Sequence, residues 1–338
     1  MTHHTRRVAI LWTIVCLYLT PVYAKSPEHL PDSKPFTFVA MGDMPYDEPG
    51  QLEQFEGLLT AINQLEPSPT FVVHVGDTKS GTSRCSNKTY NNILKRFQTV
   101  KTPFIYTPGD NEWTDCHRIP CGWFHPVERL RKIRQMYFID HSGLEKTLPV
   151  AHQCLSDGTS CSDTLEPTVK SPVENARWDT NGVMFATIHI VGSRNNNHRN
   201  RQMRLEFERR NIANLNWLAE TFRLAQKSDS QAVVIFFHAN PALEWAVSDR
   251  AGYNDFIDAL HAHAADFQKP VLLVHGDSHQ HRIDHPLTDK GLDRVMPNVT
   301  RLIVYGDTTI RGVQVQVIPD ADKNERMFLF HPVDPTAP

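Results

Sequence analysis

A preponderance of one charge is the first thing this chain of 338 residues lacks: 35 Lys and Arg stand against 38 Asp and Glu, for a formal net charge of -3. No long basic stripe breaks that balance, which excludes nucleic-acid binding through bulk electrostatics. Internal repeats and low-complexity segments are absent as well, so neither a solenoid nor a compositional linker is indicated. Beyond the amino-terminal residues there is no apolar run approaching the roughly 20 residues that a membrane-spanning helix needs. Cysteine is sparse, six in all. Cys116 and Cys121 have no second pair of matching spacing, which argues against a cysteine-built zinc site and for disulfides. What is present is 40% hydrophobic residues, enough to bury one large α/β core or two small ones, and 18 histidines, the commonest metal ligand and a ready acid or base.

The first 24 residues read as a signal peptide. Arg6 and Arg7 form a basic start, residues 8–19 are a short apolar run, and Val22-Tyr23-Ala24 is a small-x-small cleavage site. The mature chain, 25–338, is then expected in a secreted or periplasmic location, with no membrane span after cleavage. Cys16 leaves with the signal, and Cys85, Cys116, Cys121, Cys154 and Cys161 remain to meet an oxidising compartment.

From residue 36 the pattern alternates strand and helix. Residues 36–41 form an apolar strand ending in Gly42-Asp43, residues 71–75 a second ending in Gly76-Asp77, and residues 104–106 a third running through Pro108-Gly109 to Asp110. Helical spacing covers 51–65 through Leu52, Phe55, Leu58, Leu59 and Ile62, and helices are expected at 91–100 and 127–137. An aspartate at a strand end can simply cap the next helix. Three strands in succession that each deliver Gly-Asp point instead to a common site, because sites in α/β sheets form beside the carboxyl ends of strands and glycine permits the sharp turn there. The stretch 152–177 reads as an inserted loop, and Asn195-Asn196-Asn197 as a solvated one, after a strand at 183–191. A long amphipathic helix over 203–225 and a strand at 232–237 lead to His238. A helix at 253–265 and a strand at 271–274 lead to His275-Gly276-Asp277-Ser278-His279-Gln280-His281. Strands close the chain at 302–305, 313–317 and 327–330. Cys85 and Cys116 each follow a Gly-Asp block by a few residues, so their loops should share one rim of the sheet. The expected pairs are Cys85–Cys116 and a local staple Cys154–Cys161, with Cys121 free.

These blocks occur in a recognisable order: Gly-Asp-Met-Pro at 42–45, Gly-Asp-Thr at 76–78, Gly-Asp-Asn-Glu at 109–112, His238-Ala239-Asn240-Pro241, and Gly276-Asp277-Ser278-His279. The order and the strand ends resemble the calcineurin-like metallophosphoesterases over about residues 36 to 317, within an uncharacterised bacterial branch that shares the Gly-Asp-Asn-Glu-Trp-Thr-Asp-Cys block. The resemblance implies a four-layer α/β/β/α sandwich of two mixed sheets. It implies two divalent cations, with Mn, Fe, Zn and Mg all open. Asp43, Asp77 and His279 would hold the first, Asp110 and His238 the second, with Asp277 a further ligand and Asp77 the bridge. The implied function is hydrolysis of a small phosphate ester outside the cytoplasm by a two-metal hydroxide mechanism.

The chain also departs from the family pattern. Pro45 replaces a histidine ligand, Asp110 an asparagine, Asn111 a histidine near the substrate, and Asp277 a histidine. Carboxylates in these places favour harder ions such as Mn or Mg. Asn111 and His275 are the candidate catalytic residues, and Asn111, His117 and Arg118 the candidate substrate contacts, with Glu112 an orienting residue. Asparagine cannot supply a proton near neutral pH, so leaving groups that are already acidic, aryl rather than alkyl, are expected to suit the site. Two other readings stand beside this one. A phospho-ligand-binding protein that kept the fold and lost chemistry is motivated by Pro45 and Asn111. A haloacid-dehalogenase-type phosphatase is discounted, since it needs Asp-x-Asp where this chain has Asp43-Met44-Pro45. The sequence carries no signal of oligomeric state.

Overall fold

The computed structural model describes residues 1, 34–46, 48–140, 143–241, 243, 250–289, 294–319 and 327–336. The expected signal peptide lies outside them. Two mixed sheets carry the fold. The first has the order β14-β13-β1-β2-β3, where β1 is Phe36–Met41, β2 Val72–His74, β3 Phe104–Tyr106, β13 Gly312–Val317 and β14 Phe328–Val333. The second has the order β4-β5-β6-β7-β8-β12-β9, where β4 is Ala151–His152, β5 Ala176–Thr180, β6 Val183–Thr187, β7 Ala232–Phe236, β8 Val271–His275, β9 Arg282–Asp284 and β12 Val299–Ile303. A short ribbon pairs β10 (Thr288–Asp289) with β11 (Arg294–Val295). The runs β1-β2-β3 and β6-β7-β8-β12 are parallel, so their carboxyl ends emerge on one edge of each sheet.

Strand alternation builds the layers. Side chains of a strand point to opposite faces in turn. In β1, Phe38 and Ala40 face the second sheet, while Val39 and Met41 pack under helices Gln51–Ile62 and Asn87–Phe97. In β7, Val234 and Phe236 face inward, while Val233 and Ile235 pack against helices Arg201–Lys227 and Asn254–Phe267 through Trp217, Leu218, Phe222 and Phe256. Between the sheets the core is aromatic: Phe38 stacks on Phe71 at 5.2 Å and Trp178 on Phe185 at 5.5 Å. The result is the helix–sheet–sheet–helix sandwich that the blocks implied.

Several boundaries differ from the sequence reading, each for a local reason. The second helix starts at Asn87 rather than 91, because Ser86 caps it by accepting the backbone N–H of Thr89 at 3.1 Å. The polar Asn87-Lys88-Thr89 turn hid that start from a reading based on apolar spacing. The stretch 152–177 is not loop throughout. Its end enters β5, antiparallel to β6, where Trp178 faces the inter-sheet core and Arg177 lies over the Trp217 ring at 4.0 Å. The sequence Ala-Arg-Trp-Asp-Thr does alternate, with Arg177 and Asp179 on the face opposite Trp178, but it offers a single large apolar side chain at the end of a polar stretch. The helix Pro126–Ile133 passes into a π-helical turn over Arg134–Ile139.

The cysteines pair as expected: Cys85 with Cys116 across 31 residues, and Cys154 with Cys161 across 7, leaving Cys121 buried and free. Closing the longer loop is worth roughly 3–4 kcal/mol through the unfolded state. The double variant Cys85→Ser/Cys116→Ser should therefore unfold at a distinctly lower urea concentration. Thiol titration of the denatured, unreduced mature chain should find one free thiol per molecule. A count of three, or a Cys116–Cys121 peptide, contradicts the pairing.

Candidate metal centre

The two parallel edges meet, and five chain segments deliver side chains to one buried place. Asp43 follows β1, Asp77 follows β2, Asp110 follows β3, His238 follows β7 and Asp277 follows β8. Backbone bonds tie neighbouring strand ends within each sheet, Asp43 N–H donating to Gly76 O at 2.9 Å and Gly276 N–H to His238 O at 3.0 Å, and Asp277 N–H donates across the sheets to Asp43 Oδ2 at 3.0 Å. The glycines serve close approach more than flexibility. A Cβ on Gly109 would stand 2.1 Å from Asp77 Oδ1, and one on Gly276 2.3 Å from Asp43 Oδ2. The aspartates themselves carry the unusual backbone, Asp43 at φ 54°, Asp77 at 56° and Asp277 at 70°. Left-handed geometry disfavours a side chain, is least costly for Asn and Asp, and recurs where a site is held under strain.

His238 is the hub. Its Nδ1 lies 3.0 Å from Val75 O, a carbonyl that can only accept, which assigns a proton to Nδ1 and turns Nε2 towards the carboxylates. Nε2 is 3.0 Å from Asp110 Oδ1, 3.4 Å from Asp77 Oδ1 and 3.9 Å from Asp277 Oδ1. Two groups of ligand atoms come close enough to share an ion: Asp43, Asp77 and His238, and Asp110, His238 and Asp277. His279 stands further out, with Nε2 3.9 Å from Asp43 Oδ1 and 2.9 Å from the Tyr46 hydroxyl. His281 is turned onto Tyr305, with its ring 4.0 Å away and Nδ1 2.9 Å from Ile303 O.

Crowding shows in the acid–base properties. Burial pushes Asp43 up to about 7, with His238 pulling down and Asp277 pushing further up. Asp77 is raised well above the carboxylate range, again by burial first. Burial and then Asp110 raise Asp277 to about 6. Burial also acts on Asp110, but the hydrogen bond and charge of His238 prevail and hold it at about 2. His238 is pressed towards neutrality by burial, yet the carboxylates around it hold it well above the ordinary imidazole value. Such a cluster retains protons where a cation would otherwise balance it. Oxygen donors with one imidazole, buried and in charge excess, fit a hard or borderline divalent ion.

The remaining sequence candidates surround this cluster. The Asn111 amide donates from Nδ2 to Asp77 Oδ2 at 2.6 Å and from its backbone N–H to Asp77 Oδ1 at 3.0 Å, so it fixes the carboxylate. Glu112 Oε1 accepts from Thr78 N–H at 2.6 Å and from the Tyr106 hydroxyl at 3.2 Å, an orienting arrangement. His275 is fully buried against Phe237, ring to ring at 5.1 Å. Arg118 binds Asp115 at 2.8 Å and Gly81 O at 3.1 Å, and His117 Nδ1 lies 2.9 Å from an Arg199 nitrogen.

Sequence reasoning missed Tyr46, Asp115, Ser193 and Arg199. Ser193 Oγ sits 2.9 Å from Asp110 Oδ2 and 2.9 Å from Asp115 Oδ1. It stands on a left-handed turn in which Ser193, Arg194, Asn195 and Asn196 have φ of 49°, 52°, 53° and 63°. Each such residue costs roughly 1–2 kcal/mol. The turn is held from behind: Asn195 Oδ1 accepts from Arg210 at 2.6 Å, its Nδ2 donates to Gly252 O at 2.9 Å, and Asn196 donates to Glu206 at 2.7 Å. Asn195 and Asn196 are completely buried, which corrects the solvated-loop reading of this run. The only hint in the sequence was three asparagines together, the residue that best tolerates left-handed backbone.

A family model described as calcineurin-like phosphoesterase matches residues 36–281. No curated protein sequence matches the chain. Among solved structures, a dimetal phosphatase from Danio rerio is similar at a TM-score of 0.52 and 10% identity, covering 89% of this chain and 99% of its own. PhoD is similar at 0.50 and 10%, covering 85% of this chain and 65% of its own. At such identities the likeness is one of fold.

Two outcomes follow from the cluster. Carboxyls raised in the folded state bind protons there that the unfolded chain has released, so stability is lost as pH climbs from about 4 through about 7. A bound cation takes over that balancing role. The gain in melting temperature on adding Mn²⁺ should therefore grow between about pH 5 and about pH 8; a gain independent of pH contradicts the assignment. Ser193→Ala should weaken Mn²⁺ affinity by about 10–100-fold without changing the far-ultraviolet circular dichroism.

Proposed function

The chain belongs to the calcineurin-like phosphoesterase family, and on that premise we propose that it hydrolyses a small phosphate ester at a two-cation centre outside the cytoplasm. The observation that carries the proposal is the convergence of four aspartates and His238 from five strand ends onto one buried point. Asp110, His238 and Asp277 would hold one ion. Asp43 and Asp77 would hold the other, with His279 beside them and Asp77 between the two. Divalent ions there would supply a water-derived nucleophile at neutral pH and offset phosphoryl charge.

The chain's own residues do the rest. Asn111 and Glu112 keep the Asp77 loop in place through the bonds to Asp77 and Thr78. Ser193 holds Asp110 against Asp115. Tyr46, 3.4 Å from Asp77 Oδ2 and 2.9 Å from His279 Nε2, ties the outlying histidine to the cluster. Burial lowers the His279 pKa, leaving its ring neutral and able to ligate. The Asn111 amide is engaged with Asp77 and cannot supply a proton, which favours acidic leaving groups. The location outside the cytoplasm is supported by the two disulfides.

The second reading, a phospho-ligand-binding protein with weakened chemistry, is motivated by Pro45 and Asn111. The mature chain reconstituted with Mn²⁺ should turn over an aryl phosphate, and Asp77→Asn should lower turnover by at least about 100-fold. A reconstituted protein that binds inorganic phosphate yet turns over no ester would favour the second reading.

A further inference from the structure

Beside the carboxylate cluster, on its Asp110 side, lies a cavity of about 330 Å³ lined by His117, Trp123, Phe124, His125, Arg199 and Met203. A short chain of contacts joins it to the cluster. Arg199 Nη1 is 3.4 Å from Asp115 Oδ1, and Ser193 Oγ is shared between Asp115 and Asp110 at 2.9 Å each. The cavity is thus two side chains, Asp115 and Ser193, removed from an expected metal ligand. None of this lining is needed to hold a cation, and packing accounts only for Met203 and Phe124.

Two features of the lining point to a ligand. The first is Trp123. It is 76% exposed and sits at φ 53° directly after Gly122 at φ 96°. A bulky residue held left-handed, with its indole presented to water, forgoes both backbone comfort and burial. The turn is nevertheless firmly anchored: Trp123 N–H donates to Arg118 O at 3.2 Å, Phe124 N–H donates to Cys116 O at 2.8 Å, and Cys116 is tied to Cys85. The second is Arg199. Its Nη2 donates to Asn196 Oδ1 at 2.6 Å and its Nη1 lies 2.9 Å from His117 Nδ1. Its Nε is buried with no hydrogen-bond partner among the described residues. A buried donor left unpaired is costly unless something arrives to accept from it. An aromatic platform and an unsatisfied guanidinium donor lining one cavity suit a flat ring that carries an anionic acceptor.

We propose that this cavity is the leaving-group pocket of the centre, and that it selects aryl phosphates whose ring bears a carboxylate or similar anion. The ring lies on Trp123 and the anion accepts from Arg199, with His117 and His125 flanking it. This rests on the phosphoesterase reading above and adds a substrate class to it. It also agrees with Asn111: a leaving group that needs no proton is the kind this pocket would collect.

Binding is measured apart from turnover, so that the two readings can fail separately. Isopropylphosphonate, phenylphosphonate and 4-carboxyphenylphosphonate are titrated calorimetrically into the Mn²⁺-loaded mature chain. The expected order is alkyl weakest and carboxyphenyl tightest, each step about tenfold. Trp123→Ala should collapse the aryl-over-alkyl step and Trp123→Phe should restore it. Arg199→Gln should collapse the carboxylate step while the phenyl step persists. Three phosphonates that bind alike, or not at all, overturn the pocket, as do variants that weaken all three equally. The matching phosphate esters are then assayed for hydrolysis. The expected binding pattern without turnover overturns the hydrolase reading and leaves the pocket standing. Turnover with no aryl preference does the reverse.

Discussion

Four carboxylates and one imidazole share a buried space at the ends of five strands, and the charge crowded there is the constraint that the surrounding structure answers. Asp43 and His238 are fully buried and Asp77 nearly so. Left without a counter-charge, the cluster keeps protons that carboxylates ordinarily release, as the raised Asp43 and Asp277 show. A cation would resolve that tension, and the sandwich brings carboxylate and imidazole atoms close enough to share one. Glycines at 109 and 276 leave room for Asp77 and Asp43 where any Cβ would collide. Asp43, Asp77 and Asp277 accept left-handed backbone to turn their carboxylates into the same point.

Support for these positions comes from elements that never reach the centre. The turn from Ser193 to Asn196 runs left-handed for four residues, and it is held by Arg210, Glu206 and Gly252. What that strain secures is a hydroxyl placed between Asp110 and Asp115. Arg210 in turn sits 5.3 Å over the Trp113 ring, next to the block that carries Asp110 and Asn111. Packing of the long helix Arg201–Lys227 is therefore coupled to ligand geometry, by a two-bond route through Asn195.

Much of this could be read from the sequence, and what could not has identifiable causes. Asp43, Asp77, Asp110, His238 and Asp277 were legible because each ends a strand whose apolar run and terminal Gly-Asp or His are contiguous in the chain. The layers were legible for the same reason, since buried strands such as β7 and β8 are continuous apolar runs. Strand β5 was hidden because Arg177 packs its guanidinium on Trp217 and so is buried as a charge. The Asn195–Asn196 pair was hidden because polarity suggests solvent, whereas their amides are fully bonded inside the protein. Ser193, Arg199 and Tyr46 were hidden because their contacts reach across 31 to 233 residues of sequence, and only folding brings the partners together.

Whether these strand ends form a two-cation site is decided by anomalous diffraction from crystals of the mature chain soaked in Mn²⁺. Two anomalous peaks are expected. One lies among Asp110, His238 and Asp277, and the other is against Asp43 and Asp77. Crystals that show no peak at the strand ends, with Mn²⁺ bound elsewhere or nowhere, would contradict it.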